Sequence, residues 1–331
     1  MASSSNLSTD ITVLIQEYYE KMALKEQAYT NGLLKYAKKA DIPKGQSKVG
    51  HFHRWEKLPL ASDVGETSDP TGEAMNAVEV KVELTEFAGV VSVPNFGDAV
   101  RIDSVIKESY NKMTEQAERT ANRRLLTALD GGSAGTSQSS DSFSAAKVIY
   151  ANNRASFGSL TASDYLTNKD IQLAVGWLEQ NQVPKINGSY VCLLNPWAKT
   201  DLLTYDQEFR DLLRGSADLK ILKDNELPLW AGARIGLQDE PWREALGGTD
   251  GTYVRTGNVA SCYVFGAESF GCSQLMGKTG VKPRFKVQDI TTTGAVTTIG
   301  YRIPFGAAVL NSDWVVRLKH VVRDATVASV A

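Results

Sequence analysis

The sequence contains few of the residues from which catalytic and metal sites are commonly built. Its 331 residues include three cysteines and three histidines. Cys192, Cys262 and Cys272 are an odd number and have no CxxC spacing. Widely spaced cysteines in a chain of this length predict reduced thiols that pack as small apolar side chains in a reducing compartment. The pattern argues against both a disulfide framework and a CxxC-type zinc site.

Long apolar runs and a surplus of either charge are also missing. No apolar run approaches the ~20 residues that a membrane-spanning helix requires, and the first residues lack the basic flank and apolar centre of a signal peptide. The chain carries 36 basic and 38 acidic residues, a formal net charge of −2. Because a strong nucleic-acid binder needs surplus Lys and Arg, that class is disfavoured. We expect a soluble protein that is cytoplasmic or is assembled in the cytoplasm.

Enzyme motifs are scarce, and the two partial matches do not satisfy their chemistry. The segment Gly271–Thr279 approximates the phosphate-binding pattern GxxxxGK[ST], but its first glycine lies one residue too early and Pro283 follows where a helix should begin. His51 and His53 could share one face of a strand as a metal pair, but no ligand-like partner lies near them in sequence. The sequence therefore predicts no catalysis, no cofactor and no metal, and a nucleotide-binding enzyme is the weakest functional alternative.

The most unusual feature is a hairpin with a large polar tip, Ser62 to Glu73. Compact domains usually turn in two to five residues, so this tip is too long to serve the chain's own core. The returning strand alternates apolar and polar residues until Glu86, after which the apolar face changes parity. This shift predicts a bulge or bend near Ala88–Gly89. The alternating apolar residues of the outer half are Val78, Val80, Val82 and Leu84.

Helical patterns stand on both sides of the hairpin. An amphipathic stripe runs from Ile11 to Met22. After the hairpin, apolar residues at steps of three and four predict a long helix, from Asp103 as cap to Gly131–Gly132 as terminator. Its ~27 residues would span ~40 Å. The remaining helices are predicted at 169–182 and 197–203, the second of them after an Asn195–Pro196 turn that closes a strand at 190–194. Further strands are predicted at 260–265 and 297–318, with a turn at Asn311–Ser312, and an exposed loop at 246–257.

The order of these elements resembles the major capsid proteins of tailed bacteriophages, which have the HK97-like fold, and within them the N4-like phage group. The resemblance lies in Leu58–Asn76 (extended loop), Gln116–Gly132 (spine helix), Lys169–Leu203 (opening of the axial domain), and Tyr263–Gly271 with Gly300–Leu318 (closing strands). It implies an α+β fold with an N-terminal arm at 1–48 and an extended-loop hairpin at 49–93. A peripheral domain would comprise 94–167 and 291–331, with its spine helix at about 103–130, and an axial domain would comprise 168–290.

The resemblance implies a subunit that self-assembles into hexamers and pentamers of an icosahedral head, enclosing double-stranded DNA without sequence-specific binding and without a membrane. The implied partners are further copies of the chain, a separate scaffolding protein, a portal and a decoration protein. Because the arm helix begins by about residue 10, we expect no large N-terminal propeptide. The implied location is the virion, after assembly in the host bacterial cytoplasm.

An encapsulin-type nanocompartment shell, which has the same fold, is the main alternative function. In either kind of shell, the arm and the hairpin would contact neighbouring subunits. The predicted interface residues are Tyr18, Tyr19, Met22, Leu60, Val64, Glu66, Pro70, Val78, Val80 and Val82.

Overall fold

A computed structural model describes residues 32–43, 47–61, 63, 72–94, 105–130, 137–139, 147–215, 229–238, 240–275, 284–289 and 296–323. The helix predicted from Ile11 to Met22 lies outside these residues. Among the helices that are described, none combines the length and apolar character needed to cross a membrane.

The first sheet is built around the long strand β14 (Val296–Val309). On one side β14 pairs antiparallel with β4 (Thr85–Pro94). On the other side it pairs antiparallel with β13 (Arg284–Asp289) and β12 (Phe270–Leu275). β1 (Lys38–Ile42) extends this sheet as a parallel neighbour of β12. Segments far apart in sequence therefore meet in one five-stranded sheet.

Helix α1 (Val105–Asp130) packs on this sheet and forms the first core with it. Its 26 residues correspond to a length of ~39 Å, which confirms the long helix expected from the sequence. The predicted apolar stripe is buried from Met113 through Ala117, Ala121 and Leu125. Opposite it lie the buried β14 side chains Ile299, Tyr301, Ile303 and Phe305.

The second sheet has seven strands in the order β6-β15-β11-β7-β9-β8, and β10 pairs with β11 beside β7. Every residue of β7, β11 and β15 is buried, which explains why β7 and β11 are nearly continuous apolar runs. The bounds are β6 Lys147–Tyr150, β7 Tyr190–Leu194, β8 Leu229–Trp230, β9 Ala233–Leu237, β10 Arg243–Glu244, β11 Val259–Phe265 and β15 Val315–Val321.

Helices α2 (Asn168–Gln180), α3 (Pro196–Tyr205) and α4 (Gln207–Gly215) accompany the second sheet. The Asn-Pro turn predicted after β7 begins α3: the Asn195 side chain accepts from the Ala198 amide, and Pro196 takes the first helical position. Buried residues of α2 and α3 form the second core with β7, β11 and β15.

The three cysteines are free and buried, as the sequence predicted. Burial raises the pKa of Cys262 to about 12 and that of Cys272 to about 11. These thiols therefore remain protonated at neutral pH and pack as apolar side chains.

The third sheet contains the projecting hairpin, β2 (Val49–Trp55) and β3 (Ala77–Glu83), with β5 (Ser137–Ser139) beside β3. The break predicted near Ala88–Gly89 is instead at Leu84, between β3 and β4. There the chain leaves β2 and joins β14, and this change of partner shifts the buried face by one residue. The parity change was therefore read correctly, but its position was wrong because strand partners cannot be read from periodicity alone.

The sheets do not follow the domain boundaries predicted from the sequence. β15 lies in the segment assigned to the peripheral domain, yet it pairs along its whole length with β11 of the segment assigned to the axial domain. The division into domains accordingly stays a prediction.

Candidate assembly surface

The hairpin is a regular antiparallel pair from its base outward. The Leu84 amide donates to the Lys48 carbonyl at 2.8 Å at one end, and the Glu56 amide donates to the Asn76 carbonyl at 3.0 Å at the other. Between these bonds, Val49 faces Glu83 and Trp55 faces Ala77. The pairing fixes the direction in which the rest of the hairpin leaves the body.

The base of the hairpin packs against the end of β14. Val80 and Val82 are 2% and 0% exposed and form a small core with Ala308 and Leu310. The approach is so close that a Cβ on Gly306 would lie 2.4 Å from the Glu83 carbonyl oxygen. These contacts anchor the base of the hairpin to the body of the same chain.

The placement of Val80 and Val82 corrects the sequence analysis, which assigned both to a subunit interface. Their side chains are covered by the chain's own first sheet, so they offer no surface to a neighbouring copy. Alternation showed that one face of β3 is apolar but not what covers that face.

From Trp55 outward, the side chains of the hairpin are exposed instead of buried. We call residues 55–61, 63 and 72–77 the distal hairpin, and every one of them is exposed. Large apolar side chains nevertheless occur there: Trp55 is 66% exposed, Leu58 55%, Leu60 96% and Met75 62%. Several such side chains on one projection are typical of a surface that is covered by a partner.

Polar contacts, rather than a packed core, connect the outer part of β2 with the body. Arg54 donates to the Leu310 carbonyl at 3.4 Å, and Lys57 donates to the Gln182 side chain at 3.2 Å. A cavity of about 730 Å³ remains between β2 and the body. The distal hairpin therefore gains little burial from its own chain.

The two histidines of β2 make surface contacts with a single carboxylate. His51 Nδ1 lies 2.6 Å and His53 Nε2 lies 3.7 Å from Glu79 Oε1. The hydrogen bond with His51 lowers the pKa of Glu79. No group of three or more metal-ligating side chains occurs in the part of the chain that the structure describes. The pair thus belongs to the polar face of the hairpin.

The interface residues predicted from the sequence fall into three groups. Leu60 is almost fully exposed, and Val78 is half-buried. Val80 and Val82 are internal, as described above. The others lie outside the described residues: Tyr18, Tyr19, Met22, Val64, Glu66 and Pro70.

Sequence reasoning missed three apolar side chains of the distal hairpin: Trp55, Leu58 and Met75. Their signal was available, because all three are large apolar residues close to a polar tip. The interface residues were predicted from the strand alternation and the turn pattern, and these three side chains interrupt neither.

Comparison with solved structures gives matches over almost the whole chain. The capsid of Ralstonia phage GP4 superposes with a TM-score of 0.70 at 13% identity, covering 98% of this chain and 99% of that one. The cyanophage Pam1 capsid gives 0.70 at 13% identity, with 98% and 100% coverage. The SrpI encapsulin of Synechococcus elongatus gives 0.57 at 10% identity, with 96% and 97% coverage. Neither protein-family models nor curated protein sequences give any match.

The chain has the HK97-like capsid fold.

At this low identity the likeness concerns the fold, and it confirms the α+β class expected from the sequence. The hairpin and α1 of this HK97-like chain are the elements that the sequence resemblance named the extended loop and the spine helix.

A buried ionic cluster joins the end of α1 to the second sheet. Asp130, the last residue of α1, accepts from Arg317 at 3.0 Å and from the Tyr263 hydroxyl at 2.9 Å. Lys319 lies 3.3 Å from the same carboxylate, donates to Glu244 at 2.9 Å and also contacts Asp250. Because Asp130, Glu244 and Lys319 are at most 1% exposed, every charge in this region needs its partner.

The cluster shifts the pKa values of Glu244 and Lys319. Burial raises the pKa of Glu244, and Lys319 opposes that shift only in part. Burial alone would lower the pKa of Lys319, but the neighbouring Asp130 and Glu244 carboxylates outweigh it and raise that pKa. The cluster therefore holds its cation tightly and ties α1, β10 and β15 of the capsid fold together.

The sequence analysis did not identify this cluster, although part of its signal was visible. Arg317 and Lys319 are charged residues within the otherwise apolar run of β15. Their partners come from the end of a helix and from a segment predicted to be an exposed loop, in which Asp250 turns towards Lys319. Only the tertiary structure brings these groups together.

Proposed function

We propose that this protein is a major capsid protein, which self-assembles into hexamers and pentamers of an icosahedral phage head. The observation that carries the proposal is that 98% of the chain follows the fold of phage capsid proteins with a TM-score of 0.70. The distal hairpin adds an argument from the chain itself, because it exposes four large apolar side chains at the end of an anchored projection.

Assembly would complete the burial that folding leaves unfinished. Covering one fully exposed Leu side chain contributes about 1.5–3 kcal/mol, and Leu60 is 96% exposed in the isolated chain. The small core at Val80 and Val82 fixes the base of the hairpin. In the proposed shell, each subunit thus presents a preorganised hairpin to the surface of the neighbouring subunit.

The more detailed parts of the proposal rest on the sequence resemblance. They are membership of the N4-like group, the division into arm, extended loop, peripheral and axial domains, and assembly in the host cytoplasm. They also include a separate scaffolding protein, a portal, a decoration protein and enclosed double-stranded DNA. A capsid subunit of this kind would perform no catalysis.

A nanocompartment shell is the second candidate, because an encapsulin has the same fold. The GP4 and Pam1 phage capsids superpose better than this encapsulin, with TM-scores of 0.70 against 0.57, which favours the phage head. The two functions differ in what the shell encloses: a phage head contains DNA, whereas a nanocompartment contains protein cargo.

The proposal is tested by expressing the full chain, alone and together with a co-expressed scaffolding protein. Sedimentation and electron microscopy should reveal closed shells or capsomers. Particles that copurify with an enzyme cargo would favour the nanocompartment. A chain that remains monomeric under both conditions and at high concentration would refute assembly as its function.

A further inference from the structure

One face of α1 carries a groove with an unusual concentration of positive charge. The groove has a volume of about 580 Å³ and lies between α1, β4 and the segments that follow β9 and β10. We call it the arginine groove, because Arg119, Arg123, Arg124 and Arg255 line it against a single acidic residue, Glu240. Four arginines against one glutamate leave three positive formal charges here, while the whole chain has a net charge of −2.

Helical spacing places two of these arginines side by side. Arg119 and Arg123 are four residues apart and project from one face of α1, whereas Arg124 lies about 100° further round the helix and also lines the groove. Arg119 donates to Glu240 at 2.5 Å, and both members of this ion pair are partly exposed. An ion pair in water is weak, so an incoming anion can compete for this guanidinium.

Two of the guanidinium groups are held in place by aromatic rings. Arg123 lies 3.0 Å from the ring centroid of Tyr253, and Arg124 lies 4.5 Å from that of Phe87. A guanidinium stacked on a ring keeps its N–H groups in its own plane, where they can bind phosphate or carboxylate in bidentate fashion. The stacking therefore orients donors without using them.

The position of the arginines over the aromatic rings also indicates which kind of ligand the groove can bind. Protein segments dock mainly through apolar anchors that fill pockets, but guanidinium groups face the rings of Phe87 and Tyr253 in this groove. The remaining lining is polar, including Gln116, Thr120 and Thr127. A polymer with closely and regularly spaced anions matches this surface better, and double-stranded DNA carries one charge per ~1.7 Å of its axis.

We propose that the arginine groove binds the phosphate backbone of double-stranded DNA without reading its sequence. This inference rests on the proposed function and deepens it, because it assigns this face of α1 to the interior of the shell. Three net charges per subunit give weak contacts that respond to salt. Such contacts order DNA along the wall, while the rest of the chain is net negative and leaves the DNA free to move.

The test compares two full-length, unassembled variants with the original chain. In the first, Arg119→Gln and Arg255→Gln remove two exposed groove charges and leave the stacked arginines in place. In the control, Lys169→Gln and Lys286→Gln remove two exposed charges elsewhere. Binding of a short fluorescent DNA duplex is followed by anisotropy at several salt concentrations, and circular dichroism verifies that all three proteins fold.

Each lost phosphate contact should reduce the slope of log affinity against log salt by about 1. The slope of the groove variant should therefore be smaller by about 2, and between about 50 and 200 mM salt its affinity should fall about 16-fold less than that of the original chain. The control variant should keep the original slope.

An unchanged slope in the groove variant would overturn the inference, as would a failure of the original chain to bind the duplex. Poly-glutamate serves as a second probe. If it binds through the two arginines and DNA does not, the ligand is an acidic protein segment and the proposal is wrong. Microscopy of the original chain expressed alone and with a co-expressed scaffolding protein, as described above, separates the two hypotheses. Shells without groove-dependent DNA binding refute only this inference, and groove-dependent binding by a chain that forms no shells under either condition refutes only the proposed function.

Discussion

Replacing Leu60 by alanine should weaken assembly while leaving the folded subunit intact. The side chain is 96% exposed in the isolated chain, so its truncation removes almost no burial from the subunit. In a shell where a neighbour covers it, the change removes three carbon atoms, worth about 2.4 kcal/mol at about 0.8 kcal/mol per buried methylene. This corresponds to a loss of about 50-fold in each subunit contact.

Val82→Ala provides the matched control, because Val82 lies on the same hairpin but is 0% exposed. Its truncation removes two carbon atoms from the chain's own core and leaves a small cavity beside Ala308. We expect a loss of about 2 kcal/mol in the free energy of unfolding of the isolated subunit. Leu60→Ala should therefore weaken assembly without destabilising the subunit, whereas Val82→Ala should lower the free energy of unfolding of the subunit itself.

Two assays separate these effects. Urea unfolding of unassembled chains gives the free energy of unfolding, and sedimentation across a concentration series gives the concentration at which particles form. Leu60→Ala should change unfolding by less than about 0.5 kcal/mol and raise the assembly threshold strongly. If Leu60→Ala assembles like the original chain, or if it destabilises the isolated subunit as much as Val82→Ala does, the distal hairpin is not the assembly surface.

Three further outcomes follow from the buried groups. Lys319→Met should destabilise the fold by about 3–5 kcal/mol because it leaves the buried Glu244 carboxylate without its cation. Arg302→Met, at an exposed residue 3.7 Å from its carboxylate partner, should cost less than about 1 kcal/mol in urea unfolding. Burial lowers the pKa of His320 from 6.5 to about 4. Between these pH values the unfolded chain binds a proton that the folded chain does not, so the free energy of unfolding should fall by about 3 kcal/mol as the pH drops through that window. His320→Gln should flatten this dependence of stability on pH. An equal decline in the variant would contradict the assignment of the effect to His320. Gly306→Ala should lower the melting temperature, because its Cβ would lie 2.4 Å from the Glu83 carbonyl oxygen; an unchanged melting temperature would mean that the hairpin base can shift.

The sequence was sufficient for elements whose signal is local. The spacing of Met113, Ala117, Ala121 and Leu125 predicted α1, because a helix repeats its buried face every 3.6 residues. The apolar run at Tyr190–Leu194 predicted β7, and the following Asn-Pro predicted the start of α3. The order of these elements along the chain was specific enough to indicate the fold before any coordinates were known.

Strand partners required the tertiary structure. The parity shift of the returning strand was visible in the sequence, but its cause was the exchange of β2 for β14 at Leu84. A period of two says that the faces of a strand differ, not which strand lies beside it. The position of the break could therefore not be inferred from the segment alone.

The sequence pattern shows that the hairpin is amphipathic and ends in a polar tip. The fold is needed to show that Val80 and Val82 belong to the chain's own core, while Leu60 remains uncovered. Burial in a core and burial at an interface both select apolar side chains. Sequence alone cannot distinguish the two, because the difference lies in which surface arrives to cover them.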